Sequence, residues 1–359
     1  MGFIDWLTEP IRETHSLAPS ETPRGLSSLG RGTSEIERGT FEKLELQRQA
    51  AARHRRRILL AGVPMLPVLG FIVYGLCHLF GVNEGDIVVW IFISLVIGTL
   101  MLRAMADAGF WIFRKTAKFH VLSAVAAEQG LQYEMGRVES ETTDPFNEQE
   151  LFGMDTNSGD SEDVFSGKID DVDFLLFEAR REKVSRSNNS TSTTLAFHGL
   201  CLRLSFPKRF KGTTRVLSES GMFNKLYEVG TDIPLERVRL EDARFEKQFE
   251  VVSTDQVEAR YLLTPAFMER LVAAQRILGP RTRLRAGFHD RDLLLTLDTL
   301  KNRSLWARMR GSLNRMHHFE VKDANRPVEQ MEMIRQFEEE LAVCKDIVRT
   351  LKLNMRTRI

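Results

Sequence analysis

The run from Ile58 to Phe80, ILLAGVPMLPVLGFIVYGLCHLF, and the shorter run from Ile87 to Leu102, IVVWIFISLVIGTLML, decide how the rest of this chain is read. The first contains no Asp, Glu, Lys or Arg. At about 1.5 Å rise per residue, a helix of that length spans the roughly 30 Å hydrocarbon core of a bilayer. The second reaches the headgroups when Arg103 snorkels or the bilayer thins, both at small cost per ångström. Only Gly81-Val82-Asn83-Glu84-Gly85-Asp86 separates them, so the pair reads as a transmembrane hairpin. A buried helical hairpin of a soluble protein is the competing reading, and the charge-free length of the first run argues against it. A cleaved signal peptide does not fit, because the apolar stretch begins deep in the chain and lacks a small-residue cleavage pattern.

Flanking charge sets the expected orientation. Arg53, Arg55, Arg56 and Arg57 precede the first run, with Arg38, Lys43 and Arg48 further back; Arg103, Arg114, Lys115 and Lys118 follow the second, and the connector has no Lys or Arg. The positive-inside rule then places both termini in the cytoplasm of a multi-pass integral membrane protein.

Composition fits a hairpin plus a sizeable soluble domain: 359 residues, 50 Lys and Arg against 49 Asp and Glu, and 28% charged residues. That near-neutral balance gives no reason to expect a nucleic-acid partner. Basic clusters at Lys208, Arg209, Lys211 and Arg215, and at Arg281, Arg283 and Arg285, read as solvated strand and loop faces, or as contacts to anionic headgroups if they face a membrane. Cys77, Cys201 and Cys344 show no CxxC spacing and read as free thiols.

Along the chain, residues 1–34 are Ser-, Pro-, Gly- and Thr-rich and read as a disordered tail. Residues 35–57 read as a basic juxtamembrane helix, with Ser34 and Glu37 in capping-box spacing. The membrane helices cover 58–80 and 87–102. Pro64 and Pro67 predict a kink, and Gly62, Gly70 and Gly75 leave room for a neighbouring helix. Arg103 and Asp107, four apart, predict an ion pair on one helical face. Residues 103–138 form a helical extension whose pattern runs to about Gln129 and stops at Gly130, and 139–163 read as an acidic linker.

From 164 to 359 the pattern predicts a soluble α+β domain. Asp170-Asp171 joins two strands, Arg180 to Ser192 reads as a polar loop, and Thr193 to Phe206 alternates with Leu200, Leu202, Leu204 and Phe206 on one face. His198 falls on that apolar face with no ligand at metal spacing beside it, which favours a core histidine over a catalytic or metal-binding one. Leu284 to Leu297 form a second hairpin around His289-Asp290-Arg291-Asp292, a polar cluster that reads first as a solvated turn and second as an acid/base or ion site. His317 and His318 are adjacent but lack a third ligand nearby. Ile334, Phe337, Leu341, Cys344, Val348 and Leu351 form the seam of a helix from about Pro327 to Leu353. That seam packs on its own domain or pairs with a second copy, and its short length favours the first.

Four stretches carry a family resemblance: Leu235 to Asp242 (LERVRLED), Phe245 to Ser253 (FEKQFEVVS), Asp255 to Pro265 (DQVEARYLLTP) and Phe267 to Leu271 (FMERL). This run resembles the hallmark segment of domain of unknown function 3137, a family of bacterial membrane proteins with a hydrophobic hairpin followed by a mixed soluble domain. The resemblance extends from about residue 50 to the C-terminus. It implies architecture and a bacterial cytoplasmic-membrane location, and no activity.

Read physically, the same segment is scaffolding. Phe245, Phe249 and Val251 are core residues, Asp255 and Thr264 are helix caps, and Phe267, Leu271, Ala274 and Leu278 share a helix face that ends at Gly279-Pro280. Glu258 and Arg260, two apart on a helix, point away from each other and make no catalytic pair. Walker, dinucleotide, GxSxG, HExxH and paired-cysteine zinc patterns are absent from the sequence. No catalytic, cofactor-binding or metal-ligating residue is therefore assigned, and no cofactor is expected. The expected function is a membrane-anchored interaction or scaffold module, with the bilayer, an unknown protein and a second copy as candidate partners. The alternatives are a membrane-tethered enzyme built on His198, His289, Asp290 or Asp292, and, less favoured, a transporter or channel component.

Overall fold

The structure, a computed structural model, describes residues 33–153, 156–187, 190–206, 209–218, 235–277, 283–298, 321, 324, 327–328 and 332–356. The tail to residue 32, Lys208, Leu278, Gly279-Pro280, Arg281, His317 and His318 lie outside them. The chain divides into two compact units, residues 1–124 with 320–334, and residues 125–319 with 335–359.

The first unit is built from α1 (Thr33–Gly62), α2 (Met65–Leu79) and most of α3 (Glu84–Glu128). The first apolar run breaks rather than kinks. Pro64 has no N–H to give Leu60 and its ring crowds that carbonyl, so α1 ends at Gly62 and α2 restarts at Met65. Pro67 sits in the first turn of α2, where a missing donor costs nothing. The second run lies within an unbroken 45-residue helix, about 68 Å long. Gly130 ends it as expected, at φ +72°, with its N–H on the Ala127 carbonyl.

Two helical stretches, Glu42–Leu79 across the α1–α2 break and Glu84–Glu128, are long and apolar enough to cross a membrane, and their apolar windows are almost wholly exposed within the protein. Ahead of the apolar run on α1 and after the one on α3, the two helices pack closely. Leu44, Gln47, Ala51, His54 and Ile58 are buried at spacings of three and four, facing a matching row on α3 that includes Ala106 and Phe110. At Gly109 an added Cβ would lie 3.2 Å from the Ala51 Cα, and His54 Nε2 lies 2.8 Å from the Met105 carbonyl oxygen. Gly62 abuts Leu102, while Gly75 faces open space; the tight glycine opposite Leu66 and Leu69 is Gly98. Asp107 pairs with Arg55 across the helix pair at 3.5 Å, not with Arg103.

The second unit is a nine-stranded antiparallel sheet in the order β1-β2-β3-β4-β9-β8-β5-β7-β6. Its strands are β1 (Leu131–Arg137), β2 (Ser158–Ile169), β3 (Val172–Ser187), β4 (Ser190–Ser205), β5 (Thr214–Ser218), β6 (Glu236–Val238), β7 (Phe249–Ser253), β8 (Arg283–His289) and β9 (Asp292–Asp298). Its helices are α4 (Ser140–Glu148), α5 (Ala243–Glu246), α6 (Gln256–Leu262), α7 (Pro265–Ile277) and α8 (Glu332–Arg356).

Three expectations change here. Residues 131–137 are a strand rather than the end of the helical extension. The stretch 139–163 is not a linker, because α4 and half of β2 fill it, with Gly159 inside the strand. Arg180 to Ser192 is not a loop, since β3 and β4 continue as one ribbon. The polarity that suggested loops belongs to strand faces open to water, and ladder hydrogen bonds do not depend on side chains.

One sheet face carries Phe177, Ala179, Phe197, Cys201 and Leu294, covered by Phe146 of α4 and by Leu151 and Phe152. The other carries the leucine rows of β4 and β9, with Phe267 of α7 against Phe288 and Phe337 of α8 stacked on Phe165 at 4.4 Å. The α8 seam is thus buried within its own chain: Phe337, Leu341, Cys344 and Val348 are all nearly inaccessible.

Candidate functional site

The residues with chemical potential gather on the outer four strands. A β-bulge in β2 between Glu162 and Phe165 puts Asp163 at φ +59° and turns its carboxylate inward, where the Tyr133 hydroxyl donates to Oδ1 at 2.7 Å. Directly across the β2–β3 ladder from Glu162 stands Glu178, whose Oε1 lies 3.1 Å from His198 Nε2. Carboxylate oxygens of Glu162, Asp163 and Glu178 fall within 4.8 Å of one another. Asp163, Glu178 and His198 are at most 3% exposed. Three carboxyl groups this close, two of them buried, repel one another, a repulsion that a shared proton or a bound cation relieves. As donors, carboxylates with one imidazole suit a divalent ion.

His198 is thus the hydrogen-bonded core histidine that its place on the apolar face suggested, with carboxylate neighbours that spacing did not reveal. Its neighbours come from strands 20 and more residues away, and only the register of three ladders brings them together. His289, Asp290 and Asp292 do not join it. Asp292 is cross-strand to Ser205, seven residues along β4 from His198 and about 23 Å away. Asp292 is held there by Arg203 at 2.8 Å and Ser205 Oγ at 2.5 Å, Asp290 by Arg209 at 3.2 Å, and His289 Nδ1 by Thr213 Oγ1 at 3.0 Å.

Burial, then the Asp163 charge, raises the Tyr133 phenol far above its ordinary value, and burial likewise raises the Cys201 thiol. A raised acid stabilises the fold fully below its unfolded pKa, about 8.5 for a thiol and about 10 for a phenol, and loses that contribution as pH climbs past it. Thermal unfolding against pH is expected to be unaffected by either group to about pH 8.5 and to show their loss above it. Cys201→Ala removes the first part of the descent; a curve identical in that variant contradicts the assignment.

The segment from 235 to 271 is structural. Asp255 Oδ1 accepts from the N–H groups of Val257 and Glu258 at 3.0 and 2.9 Å, capping α6. Thr264 caps α7 ahead of Pro265, and Asp242, unforeseen from sequence, caps α5. Glu258 points inward, 4% exposed, and its Oε2 accepts from the N–H groups of Lys211 and Gly212, both at 2.7 Å. Arg260 points outward, as the two-residue offset requires. Arg215 is not a solvated base: it is buried with its Nη1 3.1 Å from Glu150 Oε2 and Nη2 donating to the Glu148 carbonyl at 3.3 Å. Arg285 Nη1 donates to the Leu151 carbonyl at 3.0 Å.

The fold defines the chain as an α+β protein with two long apolar helices ahead of an antiparallel sheet domain. Residues 195–353 match the family described as protein of unknown function (DUF3137), so the resemblance carried by residues 235–271 holds. The match starts at β4, not near residue 50, and leaves the helices of the first unit and β1 to β3 outside it. No curated protein matches the chain. Among solved structures, the mycobacterial trehalose monomycolate transport factor A, TtfA, is similar at 11% identity and a TM-score of 0.35, over 64% of this chain and 92% of that one.

Proposed function

We propose that the protein is a membrane-anchored interaction module. In this reading the apolar end of α1 together with α2, and the apolar first half of α3, cross the bilayer, both termini stay in the cytoplasm, and the sheet domain recruits a protein partner there. One observation carries the anchor: α2 has no buried residue although it is almost entirely apolar, with Phe71 and Leu79 each 77% exposed. At about 25 cal/mol per Å², that much apolar surface is stable against lipid and costly against water.

Support for recruitment comes from the β3–β4 ribbon. Beyond Glu182 and before Gly199, among the described residues, the two strands are in no ladder except with each other. Asn157 stands in for a strand beside Val184 through bonds of 2.8 and 2.9 Å, and past it the ribbon is polar and exposed. A two-stranded arm with open edges is suited to adding a partner's strand.

The test combines alkaline carbonate extraction, reporters at both ends, and a photo-crosslinker at Thr193 in native membranes. Retention in the membrane, cytoplasmic termini and a discrete adduct are expected, with the adduct lost when Arg186 to Thr191 are replaced by a tight Asn-Gly turn. Release by carbonate overturns the anchor, and a crosslinker that captures nothing overturns recruitment through the arm.

A further inference from the structure

On the α4 side of the sheet a cavity of about 640 Å³ opens between β1, β2 and the first turn of α4, lined among others by Arg137, Glu139, Glu141, Ser161 and Arg181. Arg181 is only 8% exposed, and its guanidinium lies 4.7 Å over the Phe152 ring. Nη1 donates to the carbonyls of Asp160 and Arg180, both at 3.0 Å, and among the described residues no carboxylate is within ion-pair distance. Burial pulls the guanidinium pKa down from its ordinary value, which registers a desolvated charge. Gly159 is cross-strand to Arg181, and a Cβ there would sit 2.8 Å from the Arg181 Cδ, so this glycine leaves room for the side chain to lie along β2.

A second, independent feature lies in the same wall. Ser161 is 5% exposed, and among the described residues its hydroxyl has no hydrogen-bond partner. A buried hydroxyl left this way costs about 1–3 kcal/mol unless something occupies the space in front of it. α4 also begins at the cavity without a side-chain cap, which places the positive end of its dipole at the same opening. Exposed Arg137 adds a second guanidinium, 3.9 Å from Asp160. Glu139 and Glu141, both exposed, are the acidic groups of the lining.

We infer that this cavity binds a phosphate group carried on a polyol, with the phosphate against Arg181, Ser161 and the N-terminus of α4 and the hydroxyls accepted by Glu139 and Glu141. A bare anion would be opposed by those two carboxylates, whereas polyol hydroxyls need acceptors of that kind. The phosphate comes either from a soluble ester or from a lipid headgroup.

Calorimetry on the full-length protein in a neutral detergent distinguishes these, using inorganic phosphate, sn-glycerol 3-phosphate, and dihexanoyl phosphatidylglycerol as probes. Saturable binding of a glycerol-bearing probe, tighter than inorganic phosphate, is expected. Tighter binding of sn-glycerol 3-phosphate assigns a soluble ester, and tighter binding of dihexanoyl phosphatidylglycerol assigns a lipid. Arg181→Gln is expected to weaken binding about tenfold or more, the loss of one charge-assisted bond. Ser161→Ala and Arg137→Gln, at positions where truncation leaves the core intact, weaken it severalfold with an unchanged circular dichroism spectrum. Inorganic phosphate binding as tightly as the glycerol esters overturns the polyol assignment. Absence of saturable binding at millimolar probe, or binding indifferent to Ser161→Ala and Arg137→Gln, overturns the site.

Discussion

Glu258→Ala is expected to destabilise the sheet domain by about 3–5 kcal/mol, as much as truncating a buried phenylalanine of the same region. The carboxylate accepts two short bonds from consecutive backbone N–H groups, Lys211 and Gly212, and its own residue is nearly inaccessible. Removing it takes the acceptor from two backbone donors at once, and bonds of this charged kind contribute about 1.5–3 kcal/mol each. For a domain of this size the unfolding midpoint drops by roughly 6–20 °C. Glu258→Gln keeps an acceptor oxygen but loses the charge, and falls between the two. Hydrogen exchange sharpens the test: in Glu258→Ala the amides of Lys211 and Gly212 lose protection before the β7 ladder does. Stability within 1 kcal/mol of the parent would remove the structural role assigned to this residue.

Arg215→Ala ranks next, at about 3–5 kcal/mol. Its guanidinium reaches from β5 to Glu150 and the Glu148 carbonyl, fastening the segment after α4 onto the sheet, with Arg285 and Thr296 completing the clamp on the Leu151 carbonyl. Without Arg215, the last carbonyl of α4 and the partly buried Glu150 lose their donor, and a cavity opens between β5 and the Glu148 to Glu150 segment. Arg215→Met fills most of the volume and is expected to recover about half the loss, because replacing a buried charge with a packed apolar chain is far cheaper than leaving a hole. Urea unfolding followed by far-ultraviolet dichroism measures both. An Arg215→Met variant no more stable than Arg215→Ala would show that the lost hydrogen-bond donors, not the lost volume, dominate.

Helix breaks and caps were readable from residues because they are local. Gly130 ends α3, Asp255 and Thr264 cap α6 and α7, and the Asp170-Asp171 turn takes φ values of +49° and +67°, all through atoms a few positions apart. The strand alternation around Leu200 and Leu295 was equally legible, since a period of two reports a half-buried strand whatever it pairs with. Stretches 139–163 and 180–192 were misread as linker and loop. Their polar composition is shared by irregular chain and by exposed strand, and only the ladder partner tells these apart.

By itself, the sequence determined the two apolar helices, their flanking charge, the α+β class and the short-range caps, because each depends on composition or on spacings within a helical turn. Tertiary structure alone decided where the charged side chains went. Glu258 and Arg215 became buried clamps, Asp107 chose Arg55 over Arg103, and Tyr133, Asp163, Glu178 and His198 met across four strands. Strand order and register set those encounters. They join positions tens of residues apart, and no local pattern encodes which strand lies beside which.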